Sequence, residues 1–137
     1  MILVSACLAG IRCKWNSEII ENDVVMNLVK NGEAVPACPE QLGGLATPRE
    51  PAEIVGAKVL TKTGKDVTEE YLLGARETLR IAQQYNCEKA ILKTRSPSCG
   101  SNGIYDGTFS GKLISGDGVT AKLLKENGIS VLSEGEL

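Results

Sequence analysis

Four short apolar runs, at residues 2–6, 34–37, 88–93 and 129–132, constrain the fold of this chain more than any other feature. The third contains Ala90-Ile91-Leu92 without polar alternation, the pattern of a strand covered on both faces. Helical patterns lie between the runs. Val25, Leu28 and Val29 define a helix at residues 23–30, ended by Asn31-Gly32. Asp66, with Glu69 three residues on, resembles a capping box. It opens a long helix that reaches Asn86 and carries Leu72, Ala75, Leu79 and Ala82 on one apolar face. A last helix covers residues 119–126 and stops at Asn127-Gly128. Strand and helix in alternation imply right-handed βαβ units. The expected fold is α/β: a small three-layer, doubly wound (Rossmann-like), mainly parallel sheet with strand order 2-1-3-4. Pro36 puts the second strand at an edge or keeps it short. Residues 1–137 are expected to form a single domain, since this length buries one core without staples.

The segments outside this alternation are punctuated by glycine and proline. Residues 41–51, with Gly43-Gly44, Pro48 and Pro51, read as an ordered loop over one end of the sheet. Residues 53–60 read as a small hairpin or extended arm. Residues 101–118 carry five glycines, too many for a core element, in a stretch long enough for a functional loop.

Five cysteines and no histidine limit the chemistry. A Ser-His-Asp triad, a Cys-His pair and any histidine-containing zinc site are excluded. Carboxylate, lysine, tyrosine, thiol and metal chemistry remain. The apolar N-terminus has no basic segment before it and reads as a first strand, not a secretion signal, so the expected address is the cytoplasm. There an odd number of cysteines argues for thiolate ligation or thiol reactivity over a disulfide framework. A net charge of -2 without a basic run argues against nucleic-acid binding, and no apolar run approaches the roughly 20 residues of a membrane span. The sequence leaves the oligomeric state open.

In a doubly wound sheet, ligands gather beyond the carboxyl ends of the strands. Cys7, Cys38 and Cys99 each follow a strand, so three thiols far apart in sequence are expected at one rim, with Cys13 able to join them. Cys87 precedes its strand and belongs at the opposite end as a buried structural thiol. Cys99 lies in Lys93-Thr94-Arg95-Ser96-Pro97-Ser98-Cys99-Gly100, a strand end that suits a ligand or nucleophile loop and equally a turn around a buried thiol. Arg12, Lys14, Arg49, Lys93 and Arg95 are expected on the same rim, where cations favour thiolate; they also suit an anionic ligand or a solvated patch. Glu40, after Cys38-Pro39, is the carboxylate best placed for proton transfer. Asp106 and Asp117 suit turns and a helix start. Trp15 suits either the wall of a flat pocket or ordinary packing. Two other classes stay open: a structural zinc protein using Cys7, Cys13, Cys38 and Cys99, and a phosphate- or nucleotide-binding module built on the amides of residues 101–118.

Ser5-Ala6-Cys7-Leu8-Ala9-Gly10 with Cys13, then Val35-Pro36-Ala37-Cys38-Pro39-Glu40, Gly43-Gly44-Leu45, Pro48-Arg49 and Pro51, resemble the short thiouracil desulfurases, domain of unknown function family 523. Lys93, Ser96 to Gly100, Gly118-Val119-Thr120-Ala121 and Asn127-Gly128-Ile129 fit the same pattern. The resemblance implies a 4Fe-4S cluster held by Cys7, Cys38 and Cys99, with the fourth iron open to the sulfur of a small thiolated pyrimidine. It implies non-redox C-S cleavage, with Cys13 a nearby thiol or alternative ligand, and with Glu40 and Ser96 as catalytic or supporting groups that orient or activate water. The chain departs from the family pattern after Cys13, where a basic residue, an aromatic, Asp and Gly often stand and Lys14-Trp15-Asn16-Ser17 is found here.

Overall fold

The computed structural model describes Met1–Leu137. A four-stranded, all-parallel sheet lies at its centre, built from β1 (Ile2–Ser5), β2 (Ala34–Ala37), β5 (Lys89–Leu92) and β8 (Ser130–Ser133), in the order β2-β1-β5-β8. This is the order expected from sequence, and Pro36 sits on the edge strand β2, where its missing N–H leaves no inner ladder broken.

The apolar runs alternate in space even though they do not alternate in chemistry. Leu3, Ala90 and Leu92 face one layer, made by α3 (Thr68–Gln84) and α4 (Val119–Glu126). Val4 and Ile91 face the other, where Val25, Leu28 and Val29 of α1 (Asp23–Lys30) cover them. Leu3, Leu8, Leu92 and Leu124 are almost fully removed from water, each contributing about 2 kcal/mol. The Asn22 side chain caps α1 by accepting the Val25 N–H at 3.1 Å.

Several boundaries differ from the sequence expectation. The long helix begins at Thr68 after Val67, and Asp66 instead accepts the Thr68 N–H and hydroxyl, at 2.9 and 2.6 Å, in a turn before the helix. The Thr68 hydroxyl oxygen in turn accepts the Val59 N–H at 2.9 Å, so the helix start is tied to the hairpin that precedes it. No capping box with Glu69 forms. The buried face of α3 is Tyr71, Gly74, Ala75, Thr78 and Ala82, while Leu72 points outward. Gly74 decides this rotation: a Cβ there would stand 1.9 Å from the Pro39 carbonyl oxygen, so α3 packs backbone against backbone on α2 (Pro39–Leu42).

That short helix occupies the start of the stretch expected to be loop, with Pro39 at its first position and Gly43 after its last. Residues 53–60 form a true hairpin, β3 (Ala52–Val55) with β4 (Lys58–Thr61). The glycine-rich stretch contains a second, smaller hairpin, β6 (Ile104–Tyr105) with β7 (Leu113–Ile114). No helix is long and apolar enough to cross a membrane.

Candidate active site at the carboxyl rim of the sheet

A cavity of about 430 Å³ opens beyond the carboxyl ends of β1, β2 and β5. Cys7, Cys13, Cys38, Cys99, Glu40 and Ser96 all line it. Cys87 is buried before β5, away from this group, and burial pushes its thiol pKa up.

Three of the thiols form one corner. The chain leaves β1 through a single 3-10 turn, Ala6–Leu8, which sets Cys7 on the rim. Cys38 ends β2 and starts α2, half exposed to the cavity. Cys13 is buried between them, with its carbonyl oxygen 3.8 Å from the Cys38 sulfur. Interaction with its two neighbours raises the Cys13 thiol pKa, and Cys13 in turn favours thiolate at Cys7 and Cys38. The Gln41 N–H and the Arg49 cation further favour thiolate at Cys38, and Lys93 does so at Cys7.

Arg49 ties this corner together. Its Nε donates to Glu40 at 2.7 Å, one terminal nitrogen donates to the Ala46 carbonyl and the Thr47 hydroxyl, and the other donates to the Cys13 carbonyl at 2.8 Å. The two charged side chains are only 10% and 13% exposed, so the Arg49–Glu40 pair is substantially removed from solvent screening. Tyr71 of α3 stands beside Glu40; burial first, and the carboxylate second, push its phenol pKa up and keep it neutral.

Cys99 is held differently. The Ser96 hydroxyl oxygen accepts the N–H groups of Ser98 and Cys99, at 3.1 and 3.0 Å, and the Ser96 carbonyl accepts that of Gly100. The first amides of α4 then clasp the loop: Val119 donates to the Pro97 carbonyl, and Thr120 and Ala121 donate to that of Ser98. A buried Ser98–Thr120 hydroxyl bond of 2.8 Å reinforces the clasp. Gly118 is required there, because a Cβ would come within 2.5 Å of the Ser98 carbonyl. Burial raises the Cys99 thiol pKa, opposed by a hydrogen bond with Ser5.

The cation rim is only partly as expected. Lys14, Arg49, Lys93 and Arg95 line the cavity, but Arg12 does not; it reaches away to the Ser17 carbonyl in solvent. Lys14, Arg49 and Lys93 are paired with Glu18, Glu40 and Glu134, which leaves Arg95 as the rim cation without an ion pair. Trp15 does form part of the wall, together with Tyr71 and Tyr105.

Sequence reasoning assigned no role to Ser5, Glu53 or Glu134. Ser5 is almost fully buried, accepts the Lys93 N–H at 2.9 Å and touches Cys99, thereby joining two strand ends to a thiol. A polar residue closing an apolar strand beside a cysteine was its only signal. Glu134 bonds the Thr94 N–H at 2.8 Å and the Lys93 ammonium at 3.1 Å from the far end of the chain, and nothing local marks it. Asp106 and Asp117 stay within turns and before α4, as their sequence neighbours suggested.

The same elements occur elsewhere. A Bacillus subtilis (strain 168) protein, the uncharacterized protein YbbK, is 53% identical over 147 residues, an alignment spanning 100% of this chain and 97% of the relative. The solved structure of a [4Fe-4S]-dependent thiouracil desulfidase, TudS, superposes with a TM-score of 0.94 at 43% identity, covering 99% of this chain and 91% of TudS. The family model for 2-thiouracil desulfurase matches residues 2–136. With its parallel sheet, its thiol-lined rim and this match over nearly its whole length, the chain belongs to the 2-thiouracil desulfurase family.

Proposed function

We propose that this protein removes sulfur from a small thiolated pyrimidine, without net redox change, at a 4Fe-4S cluster ligated by Cys7, Cys38 and Cys99. The observation that carries the reading is the placement of these three thiols, from three separate strand ends, on one cavity of a chain whose family and structural relative act on thiouracil. The donor set suits such a group. It is all sulfur, two of the thiols are biased toward thiolate, and no three His, Cys, Asp or Glu side chains converge closely enough to hold a single metal ion. The last point weighs against the four-thiolate zinc site, which needs its sulfurs gathered around one atom. The nucleotide-binding alternative loses many of the amides of residues 101–118 to partners within the chain: Asn102 donates to Asp117, Thr108 to Asp106, Gly107 and Phe109 to Glu53, and Gly118 to the Gly100 carbonyl.

When bound, the cluster supplies an iron with an open position, a Lewis acid for the thiocarbonyl sulfur. The chain's own residues do the rest. Trp15, Tyr71 and Tyr105 give the cavity apolar walls for a flat ring. Arg49 fixes one Glu40 oxygen, Oε2, and so orients the carboxylate that accepts a proton from attacking water. Ser96 uses its oxygen lone pairs on the Cys99 loop, which leaves its O–H free to donate into the cavity it lines. Cys13 remains the protonated thiol beside the ligands.

The test is conversion of 2-thiouracil and 4-thiouracil to uracil and sulfide by protein purified and reconstituted without oxygen. Turnover is expected for the native chain and is expected to be lost in Cys7→Ala, Cys38→Ala and Cys99→Ala. Full turnover in any of these variants, or none by the native holoprotein on any thiolated pyrimidine, would overturn the assignment.

A further inference from the structure

Glu53 is a buried carboxylate in the cavity wall that forms no ion pair. It is 8% exposed, comes from β3, and stands among the cavity-lining residues. Its companions there are accounted for: Glu40 is held by Arg49, and the exposed Glu50 accepts the Thr63 hydroxyl. For Glu53 no lysine or arginine is within ion-pair distance. One oxygen, Oε1, accepts the N–H groups of Gly107 and Phe109, at 3.0 and 3.1 Å. This holds the loop between β6 and β7 against β3, with Phe109 in the left-handed region at φ 56° and a Cβ on Gly107 barred by the Ile54 carbonyl 2.7 Å away. The other oxygen, Oε2, bonds nothing in the chain and is not fully buried.

A carboxylate on a cavity wall whose backbone partners fix one oxygen and leave the second unbonded is a preorganised acceptor. Pro51, Ala52 and Tyr105 also line this cavity and offer apolar contact to a flat ring. The complementary ligand is a flat ring with an N–H donor at its edge. A thiolated lactam has such a donor beside its thiocarbonyl, and sulfur makes that N–H a stronger donor than in the oxygen analogue.

We propose that Glu53 is a specificity-determining residue of this cavity, its free oxygen accepting a ring N–H of the pyrimidine; the proposal rests on the desulfurase reading for the class of ligand. It selects rings that carry hydrogen on the facing nitrogen. N-alkylated rings, and rings whose nitrogen there holds a lone pair, set a repulsive contact against the carboxylate.

The experiment is titration calorimetry of the anaerobically reconstituted protein with uracil, 1-methyluracil and 3-methyluracil, for the native chain and for Glu53→Gln. The amide oxygen of the variant still accepts from Gly107 and Phe109, and its NH₂ then faces the cavity as a donor. The native protein should bind one of the two methylated rings about tenfold or more weakly than uracil. Glu53→Gln should lose about the same factor for uracil and discriminate little against that methyl, with an unchanged melting temperature. In Glu53→Ala the methylated ring should regain affinity, since the clash is removed. Equal binding of all three rings by the native protein, absence of uracil binding, or methyl discrimination that survives in Glu53→Gln would overturn the proposal. Turnover of thiouracil separates the two claims: a protein that desulfurates but ignores the methyl loses this inference alone, and one that shows the Glu53-dependent discrimination without desulfuration loses the functional reading alone.

Discussion

Two supports hold the thiols of this rim, and they are built from different materials. The corner of Cys7, Cys13 and Cys38 is held by a side chain, the guanidinium of Arg49, which bonds both Glu40 and the Cys13 carbonyl. The Cys99 loop is held by main chain, with helix α4 donating its first amides to loop carbonyls and Ser96 taking two more. The first arrangement leaves two sulfurs half exposed and biased toward thiolate, and the second leaves a buried sulfur biased toward thiol. The two supports fail for different reasons, which makes the contrast testable.

The largest expected effect comes from breaking the corner. Arg49→Met strips the cation from a mostly buried Glu40 and removes the link to the Cys13 carbonyl. A loss of about 3–5 kcal/mol in urea unfolding is predicted. At concentrations of urea where the variant is still folded, alkylation of Cys7 and Cys38 should accelerate while Cys99 stays protected. Equal acceleration at all three would show that the supports are not separate. The complementary break is Gly118→Ala, whose Cβ cannot coexist with the Ser98 carbonyl at 2.5 Å. About 2–3 kcal/mol should be lost, and Cys99 should become the reactive thiol; unchanged Cys99 reactivity would argue that α4 does not hold the loop.

Smaller changes sharpen the contrast. Ser96→Ala leaves the Ser98 and Cys99 amides without their acceptor and should cost about 1–2 kcal/mol, read by thermal melting, with Cys99 reactivity again the marker. Asp117, placed just before α4, has a pKa below its ordinary value: burial opposes this, but the Asn102 N–H and Lys125 outweigh it. A lowered carboxylate pKa stabilises the fold above the unfolded-state value near 3.8, and that contribution disappears as pH falls through the lower folded value. Asp117→Asn should therefore cost about 0.5 kcal/mol at pH 7, a difference that shrinks as pH falls through the lowered folded value, by urea titration at each pH. A pH-independent difference would contradict the assigned pairing.

Sequence legibility followed the range of the interactions. The sheet order was readable because Ala90-Ile91-Leu92 and its counterparts are continuous apolar runs, Pro36 marks an edge, and each cysteine's place before or after a strand fixes its end of the sheet. That Glu40 would stand at the rim was readable from its place after Cys38-Pro39, whereas Ser96 was singled out only through the family resemblance. The hairpin of β6 and β7 was not, since strands of two residues carry no period. The apolar face expected on Leu72 and Leu79 gives way to one centred on Gly74, where α3 meets the Pro39 carbonyl, a backbone contact that no side-chain pattern announces. Asp66 looked like a cap because the Thr68 partner that draws it into a turn has no sequence signature distinct from a helix start. Arg12 was grouped with the rim by proximity to Cys13 alone, and its side chain takes the opposite direction. Ser5, Glu53 and Glu134 act across separations that only the folded chain closes.

The central claim, that Cys7, Cys38 and Cys99 together hold a four-iron cluster, is tested most directly by counting iron and acid-labile sulfide per chain after anaerobic reconstitution, in the native protein and in Cys99→Ala. The account predicts about four of each in the native chain with a broad visible band, and loss of both in the variant. Zinc alone, no metal, or a full complement retained by Cys99→Ala would contradict it.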